Sequence, residues 1–514
     1  MPVLVIFLSW GQGDRSLWTH LLETQLLGLI GNTLILMVGV GLLSAALGLG
    51  LAALVTLYDF PGRKQFEWLL MLPLAIPAYV IAFVYIGFFD FAGPVQTWLR
   101  DWFGSSAWFP DIRSSGGVVL VFSLVLYPYV YMLTRSALAR QGQSLFEASR
   151  SLGLSPREAT RQILLPSVRP AVVAGVSLVL METLADFGTV SVFNFSTFTT
   201  AIYKSWYGFR DLHIAGQLAS LLMIFVFVAL WLEQQSRARN SYRQQQHRPL
   251  VRRPLNGQRQ WQAFALCAFV FFLAFVMPVV QLLVWAIKVW GIEFSQRYWQ
   301  WTQSTLLLGA MAGVLTIVAA LVMGFRNQMR PGPSVKLATR VANLGYAVPS
   351  SILAVGVMIG FGYLDHWLLI PTADLIGLSV NGMILTGSLI ALLMAYGIRF
   401  LAVASGPVNT GLQQIKPTLP EAARLLGGSM MDRWRMIHWP YLRPGILTAF
   451  LLVLVDVMKE MPATLIMRPF GWETLAIRIY ELTSEGEWER AAIPALILAL
   501  AGLLPVSLLV RNSR

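Results

Sequence analysis

The chain has 514 residues, 56% of them hydrophobic and only 12% charged, with a formal net charge of +13. Such a composition excludes an ordinary soluble domain, and the single cysteine, Cys267, excludes an intrachain disulfide and a multi-cysteine metal site. The positive charge is also placed wrongly for a nucleic-acid surface. Arg237, Arg239, Arg243, Arg248, Arg252, Arg253 and Arg259 fall between Gln234 and Gln260 with no acid among them, the pattern of a cytoplasmic loop under the positive-inside rule.

In chain order, the first apolar run, Pro2–Trp10, is too short to cross a bilayer, and no basic leader precedes it as in a signal peptide. Met1-Pro2-Val3 matches Met277-Pro278-Val279, which lies late in a much longer apolar run. The expectation is that roughly one and a half dozen residues of a first helix are absent; the alternative is an eleven-span protein whose N-terminus faces outward. Apolar windows long enough to span follow near 26–58, 67–89, 117–138, 171–195, 214–233, 261–290, 303–325, 338–364, 382–404, 445–467 and 491–511. Hydrocarbon offers no hydrogen-bond partners, so these spans are expected to be helices packed on one another. Arg63 with Lys64, and Arg326 with Arg330 and Lys336, mark two further cytoplasmic loops, whereas 470–490, with Glu473, Glu481, Glu485, Glu487 and Glu489, faces the other side.

The chain is duplicated. Asn32-Thr33-Leu34 returns as Ser304-Thr305-Leu306, and Leu74-Ala75-Ile76-Pro77-Ala78 as Tyr346-Ala347-Val348-Pro349-Ser350. The segment from Glu147 to Pro170 returns from Glu421 to Pro444 without a gap, matching at its Glu, Gly, Ser, Arg and Pro positions, where shared greasiness cannot be the cause. The expected fold is an all-α polytopic membrane protein of two tandem parallel repeats, about six transmembrane helices each, with 11–12 spans in all. The halves are 1–233 and 261–514, joined by the basic linker 234–260.

Each copy of the repeated segment reads as a helix-turn-helix against the membrane. Glu147 to Leu152 forms a short helix ended by Gly153 in the left-handed conformation. Ser155-Pro156-Arg157-Glu158 opens the next as a capping box, and Ser429-Met430-Met431-Asp432 repeats the arrangement. Pro166 and Pro440 are expected to break that second helix.

The spacing Glu-Ala-Ala, three residues, Gly, nine residues, Ile-x-Leu-Pro resembles the coupling loop of bacterial ABC importer permeases. One copy carries Glu147, Ala148, Ser149, Gly153, Ile163, Leu165 and Pro166; the other carries Glu421, Ala422, Ala423, Gly427, Ile437, Trp439 and Pro440. The departures are Ser149 and Trp439. The resemblance implies a type I importer fold in a bacterial inner membrane. It also implies coupling loops at 139–170 and 405–444, each seated in a cytoplasmic ATP-binding subunit, so two such subunits. No G-x-x-x-x-G-K-[ST] occurs in the chain, so ATP belongs to the partner and no cofactor is expected here. The five histidines, His20, His213, His247, His366 and His438, stand at no metal-ligand spacing, and no catalytic constellation is seen.

Acids inside apolar spans mark a functional site by default. Glu182 and Asp186 are one helical turn apart, and Asp456 and Glu460 repeat them 274 residues later. Glu182 lies about 18 Å along the helix from Pro170, near the bilayer middle. Facing each other across a pseudo-two-fold axis, the four carboxylates would suit a hard cation; helix–helix hydrogen bonding or pairing with Lys459 is the structural alternative. Within the permeases, Ala185-Asp186-Phe187-Gly188-Thr189-Val190, Asp59-Phe60-Pro61-Gly62-Arg63 and Lys459-Glu460-Met461-Pro462-Ala463-Thr464 resemble the fused ferric-iron importers. That likeness implies a periplasmic substrate-binding protein as a further partner. Permeases for thiamine, polyamines or phosphonates share much of the pattern, and an ion-coupled secondary transporter is the alternative from another class.

Overall fold

The computed structural model describes residues 2–11, 15–140, 151, 153–159, 161–162, 165–209, 211–238, 252–293, 296–329, 332–377, 382–416 and 418–512. Among these, ten helices are long and apolar enough to cross a bilayer, Ala492–Leu503 is a shorter apolar one, and the strands are a single two-residue pair. The chain is thus an all-α membrane protein, as its apolar runs require.

Two compact units are present. One holds Met1–Gly13, Ile202–Ser220 and Gly291–Glu481; the other holds Asp14–Ala201, Leu221–Trp290 and Leu482–Arg514. The first described segment, Pro2–Leu8, therefore packs on Ser350–Leu364, whereas Gln258–Phe271 and most of Met277–Glu293 belong with the helices of the first repeat. No local sequence signal announces this exchange of leading helices, because an apolar helix face fits either neighbour.

Each unit is built on three long helices. In one they are Leu27–Leu57, Ser115–Arg140 and Leu165–Ala185; in the other, Gln296–Met329, Leu389–Gln413 and Trp439–Lys459. Leu165 and Trp439 start equivalent 21-residue helices 274 positions apart. Lipid tails are as apolar as leucine, so these helices gain from close packing of small residues. A Cβ added at Gly48 would lie 2.6 Å from Val130 Cβ, and one at Gly175 2.6 Å from Val130 Cα. In the other unit, a Cβ at Gly445 would lie 2.6 Å from the carbonyl oxygen of Pro407.

Two of the expected continuous spans are broken. A 3₁₀ turn at Leu72–Ala75 precedes Pro77, and the helix restarts at Ala78; the turn Leu344–Ala347 precedes Pro349, and the helix restarts at Ser350. Both prolines are extended, with ψ of 142° and 140°, and a run of apolar side chains hides such a break from any hydropathy window. The expected spans 171–195 and 445–467 likewise end early, at Ala185 and Lys459, each followed by a separate short helix, Gly188–Val192 or Pro462–Met467.

The end of the basic linker is anchored. Arg253–Pro254 pairs in parallel with Tyr58–Asp59, and Leu255 donates its amide to the Asp59 carbonyl at 3.0 Å. Gly62, at φ +76°, makes the turn that follows, bringing Phe66 against Phe60 and Phe264. Glu67 lies 2.7 Å from Arg63, 3.6 Å from Arg135 and 3.8 Å from Arg252, so one carboxylate gathers three guanidinium groups from separate stretches of chain.

Candidate coupling loops and transport route

The second copy of the repeated segment is described almost throughout. Thr418–Leu425 is a short helix whose end is closed by Leu426 N–H on Ala422 O (3.0 Å), Gly427 N–H on Arg424 O (3.1 Å) and Gly428 N–H on Ala423 O (2.9 Å). Gly427 has φ +81°, the left-handed conformation that glycine adopts without a Cβ clash. Ser429 then caps the next helix: Asp432 N–H donates to Ser429 Oγ at 3.1 Å, and Ser429 N–H to Asp432 Oδ2 at 3.0 Å. Glu421 and Ala422 are exposed on the first helix. Beside them Leu425 and Leu426 are each 89% exposed, and Met430 and Met436 each 77%. These are large apolar side chains on an element otherwise rich in charge.

In the first copy, Glu147 and Ala148 lie outside the described residues. Gly153 does not, and its φ of +86° repeats that of Gly427. Ser155 N–H donates to Glu158 Oε2 at 2.8 Å, and Glu158 N–H to Ser155 Oγ at 3.3 Å, which is the reciprocal cap the spacing predicts. Hydrogen bonding to the carboxylate from the Ser155 side chain and from the Ser155 backbone N–H holds the Glu158 carboxyl below its ordinary value.

Pro440 does not break its helix as expected. The chain runs helically from Met430 to Lys459, and a wide π-turn at Trp434–His438 comes directly before the proline. Proline lacks an N–H and its ring crowds the preceding turn, so loosening that turn absorbs the mismatch. Pro166 similarly stands in the first turn of Leu165–Ala185.

The intramembrane acids sit at the breaks. Asp186 follows the end of Leu165–Ala185 and accepts Thr189 N–H at 2.7 Å and Thr189 Oγ1–H at 3.1 Å, capping the short helix Gly188–Val192. Its backbone carbonyl accepts Thr199 Oγ1–H at 2.8 Å. Glu460 does the same in the other unit, accepting Ala463 N–H at 3.0 Å and Ser350 Oγ–H at 3.1 Å. Both acids therefore hold an N-terminal helix turn, while Glu182 and Asp456, one turn earlier, are half-buried. Interrupted helices with polar groups at mid-membrane depth are where transporters place their sites.

Sequence reasoning missed Arg399. It lies 3.6 Å from Glu460 through Nε and donates from Nη1 to the Val348 carbonyl at 2.8 Å. Its signal was present: it is the only charged residue of Leu389–Gln413. Among the described residues, no group of three or more His, Cys, Asp or Glu side chains converges as a metal site.

The class of this polytopic helical chain, a transport permease, follows from its family. The family profile described as binding-protein-dependent transport system inner membrane component matches residues 3–235 and 316–513, and the chain belongs to that family. It is 27% identical to the Fe(3+)-transport system permease protein of Haemophilus influenzae over 517 residues, covering 99% of this chain and 95% of that one. It is 23% identical to the ferric transport system permease protein of Actinobacillus pleuropneumoniae, over 89% of this chain and 67% of that one. Against the sulfate transport system permease protein CysW of Escherichia coli K12 it is 31% identical over 193 residues, or 37% of this chain and 65% of the relative.

Proposed function

We propose that this chain is the inner-membrane permease of an ATP-driven importer for ferric iron, loaded by a periplasmic binding protein. The observation that carries the cargo is similarity to ferric permeases along nearly the whole chain, whereas the sulfate relative matches 37% of it. In this reading each coupling loop docks in one cytoplasmic ATP-binding subunit. Glu147 and Glu421, with Ala148 and Ala422, are the residues assigned to docking; Gly153 and Gly427 shape the turns, and Pro166 and Pro440 lead into the next spans. The exposed Leu425, Leu426, Met430 and Met436 support it, because apolar area of this size on a charged loop gains free energy when a partner covers it.

Closure of the ATP-binding subunits would then push the Leu165–Ala185 and Trp439–Lys459 helices, whose far ends carry the acids. Glu182, Asp186, Asp456 and Glu460 are the carboxylates on the route of the cation. ATP is used by the partner subunit, and this chain holds no cofactor of its own. The test is uptake of radioactive ferric ion into vesicles containing the complete importer. Glu182→Ala with Asp456→Ala should lower uptake about tenfold or more while leaving the assembled complex intact; unchanged uptake reduces those acids to packing, and uptake that follows the proton gradient instead of ATP refutes the importer reading.

A further inference from the structure

Arg399 is a cation in the wrong place for a helix that only packs. It stands ten residues into the 25-residue helix Leu389–Gln413, about 15 Å from one end and about 21 Å from the other, close to the bilayer centre. Its side chain is 11% exposed and that of Glu460 6%, so both charges have left water, a costly arrangement unless each satisfies the other. The guanidinium lies over the Phe400 ring at 5.6 Å and the Tyr346 ring at 5.9 Å. Glu460 in turn takes Ser350 Oγ–H and Ala463 N–H, while Tyr396 and Thr464 share a hydrogen bond beside it. The pair thus ties two interruptions, the residue after Pro349 and the gap between Lys459 and Pro462, to the middle of the continuous helix Leu389–Gln413.

The other half solves the same problem differently. Ser115–Arg140 corresponds to Leu389–Gln413 but carries no charged residue before Arg135. Among the described residues Asp186 takes hydrogen bonds from Thr189 rather than an ion pair. Among the described residues, the duplicated chain has therefore kept an acid at both breaks and set a cation against Glu460 but not against Asp186. The match is itself incomplete: at 3.6 Å the Arg399 Nε makes no hydrogen bond, so the pair is held mainly by charge.

We propose that Arg399 is a charge-setting positioning residue. It occupies Glu460 at the second-half break, so that a passing cation is not retained there, and leaves Asp186, the counterpart of Glu460, as the break carboxylate that meets the cargo. This rests on the cation-importer reading and adds to it that the two halves are not interchangeable. Without Arg399, Glu460 would keep only its neutral donors, Ser350 and Ala463, and its uncompensated charge could hold a hard, highly charged ion.

The experiment uses the complete importer in proteoliposomes, with Arg399→Met, Glu460→Gln and the double variant. Two quantities are read: ferric uptake per assembled complex, and iron retained per purified permease by elemental mass spectrometry. Arg399→Met in the wild-type background should lower maximal uptake about tenfold and raise retained iron about threefold, because it removes one member of a buried pair. In the Glu460→Gln background the same substitution should change either quantity by less than about twofold, since no charge is left exposed. An arginine that only packs would lower the assembled amount and leave retained iron per permease unmoved. The proposal is overturned if Arg399→Met has equal effects in both backgrounds, or if retained iron does not rise. Failure of the wild-type complex to take up ferric ion overturns the cargo reading instead, and shows before any variant is made.

Discussion

Replacing Gly427 by valine isolates the backbone geometry of one coupling loop. The residue has φ +81°, and a Cβ built there meets nothing within 4 Å. The cost is therefore conformational, with no steric part from neighbours. An L-residue pays roughly 1–2 kcal/mol for the left-handed region, and a β-branched one more. If docking needs the native turn, that cost corresponds to about 5- to 30-fold weaker binding of the ATP-binding subunit at this loop. Asparagine tolerates the left-handed region better, so Gly427→Asn should lose only a few-fold. The assay titrates a labelled ATP-binding subunit onto the detergent-purified permease, with the melting temperature of the permease as a control that should not move, since the loop is exposed. Equal binding by the valine variant and wild type refutes the argument. So does equal harm from valine and asparagine, because then the sign of φ is not the cause.

Ser429→Ala removes one half of a reciprocal cap and should destabilise the Met430–Arg433 turn by about 1 kcal/mol, read as faster amide exchange at Asp432. For the first loop, the Glu158 carboxyl is held below its usual value by Ser155; the cap is complete above the ordinary value and is lost as pH falls through the lower folded one, so protection of the Ser155 amide, which donates to that carboxylate, should be insensitive to protonation of this group between pH 6 and 8 and fall only in acid. Gly48→Leu should prevent the close approach of Leu27–Leu57 to Val130 and abolish folded permease on size-exclusion chromatography, whereas Gly50→Ala, two positions on with nothing within 4 Å, should fold normally. Glu67→Ala should leave Arg63, Arg135 and Arg252 without their shared carboxylate and increase protease cleavage at the linker; unchanged cleavage would show that the strand pair alone anchors it.

The duplication was legible because its copies agree where chemistry is special. Gly153 and Gly427 both need positive φ, Ser155 and Ser429 both cap, and these constraints survive in sequence when apolar residues drift. The intramembrane acids stood out for the same reason, as rare charges in greasy runs. Arg399 stood out equally but has no counterpart in the other half, so a search guided by the repeat passed over it. The breaks at Pro77 and Pro349 were hidden because hydropathy averages over a window wider than a 3₁₀ turn. The strand pair of Tyr58–Asp59 with Arg253–Pro254 is two residues long, below any periodicity. The exchange of leading helices between units leaves no local trace at all, because it concerns which neighbour an apolar face chooses and not whether it is apolar.

That exchange bears on why the halves are one polypeptide. Gln258–Phe271 and most of Met277–Glu293 fall in one compact unit with the helices of the first repeat, and Arg253–Pro254 is already stitched to Tyr58–Asp59 before they begin. A nick in the backbone between 239 and 250 would leave both products gripped by packing that the peptide bond does not supply. What the tether contributes is composition: every assembly receives one half bearing the arginine and one half without it, and a pairing of two identical halves never forms.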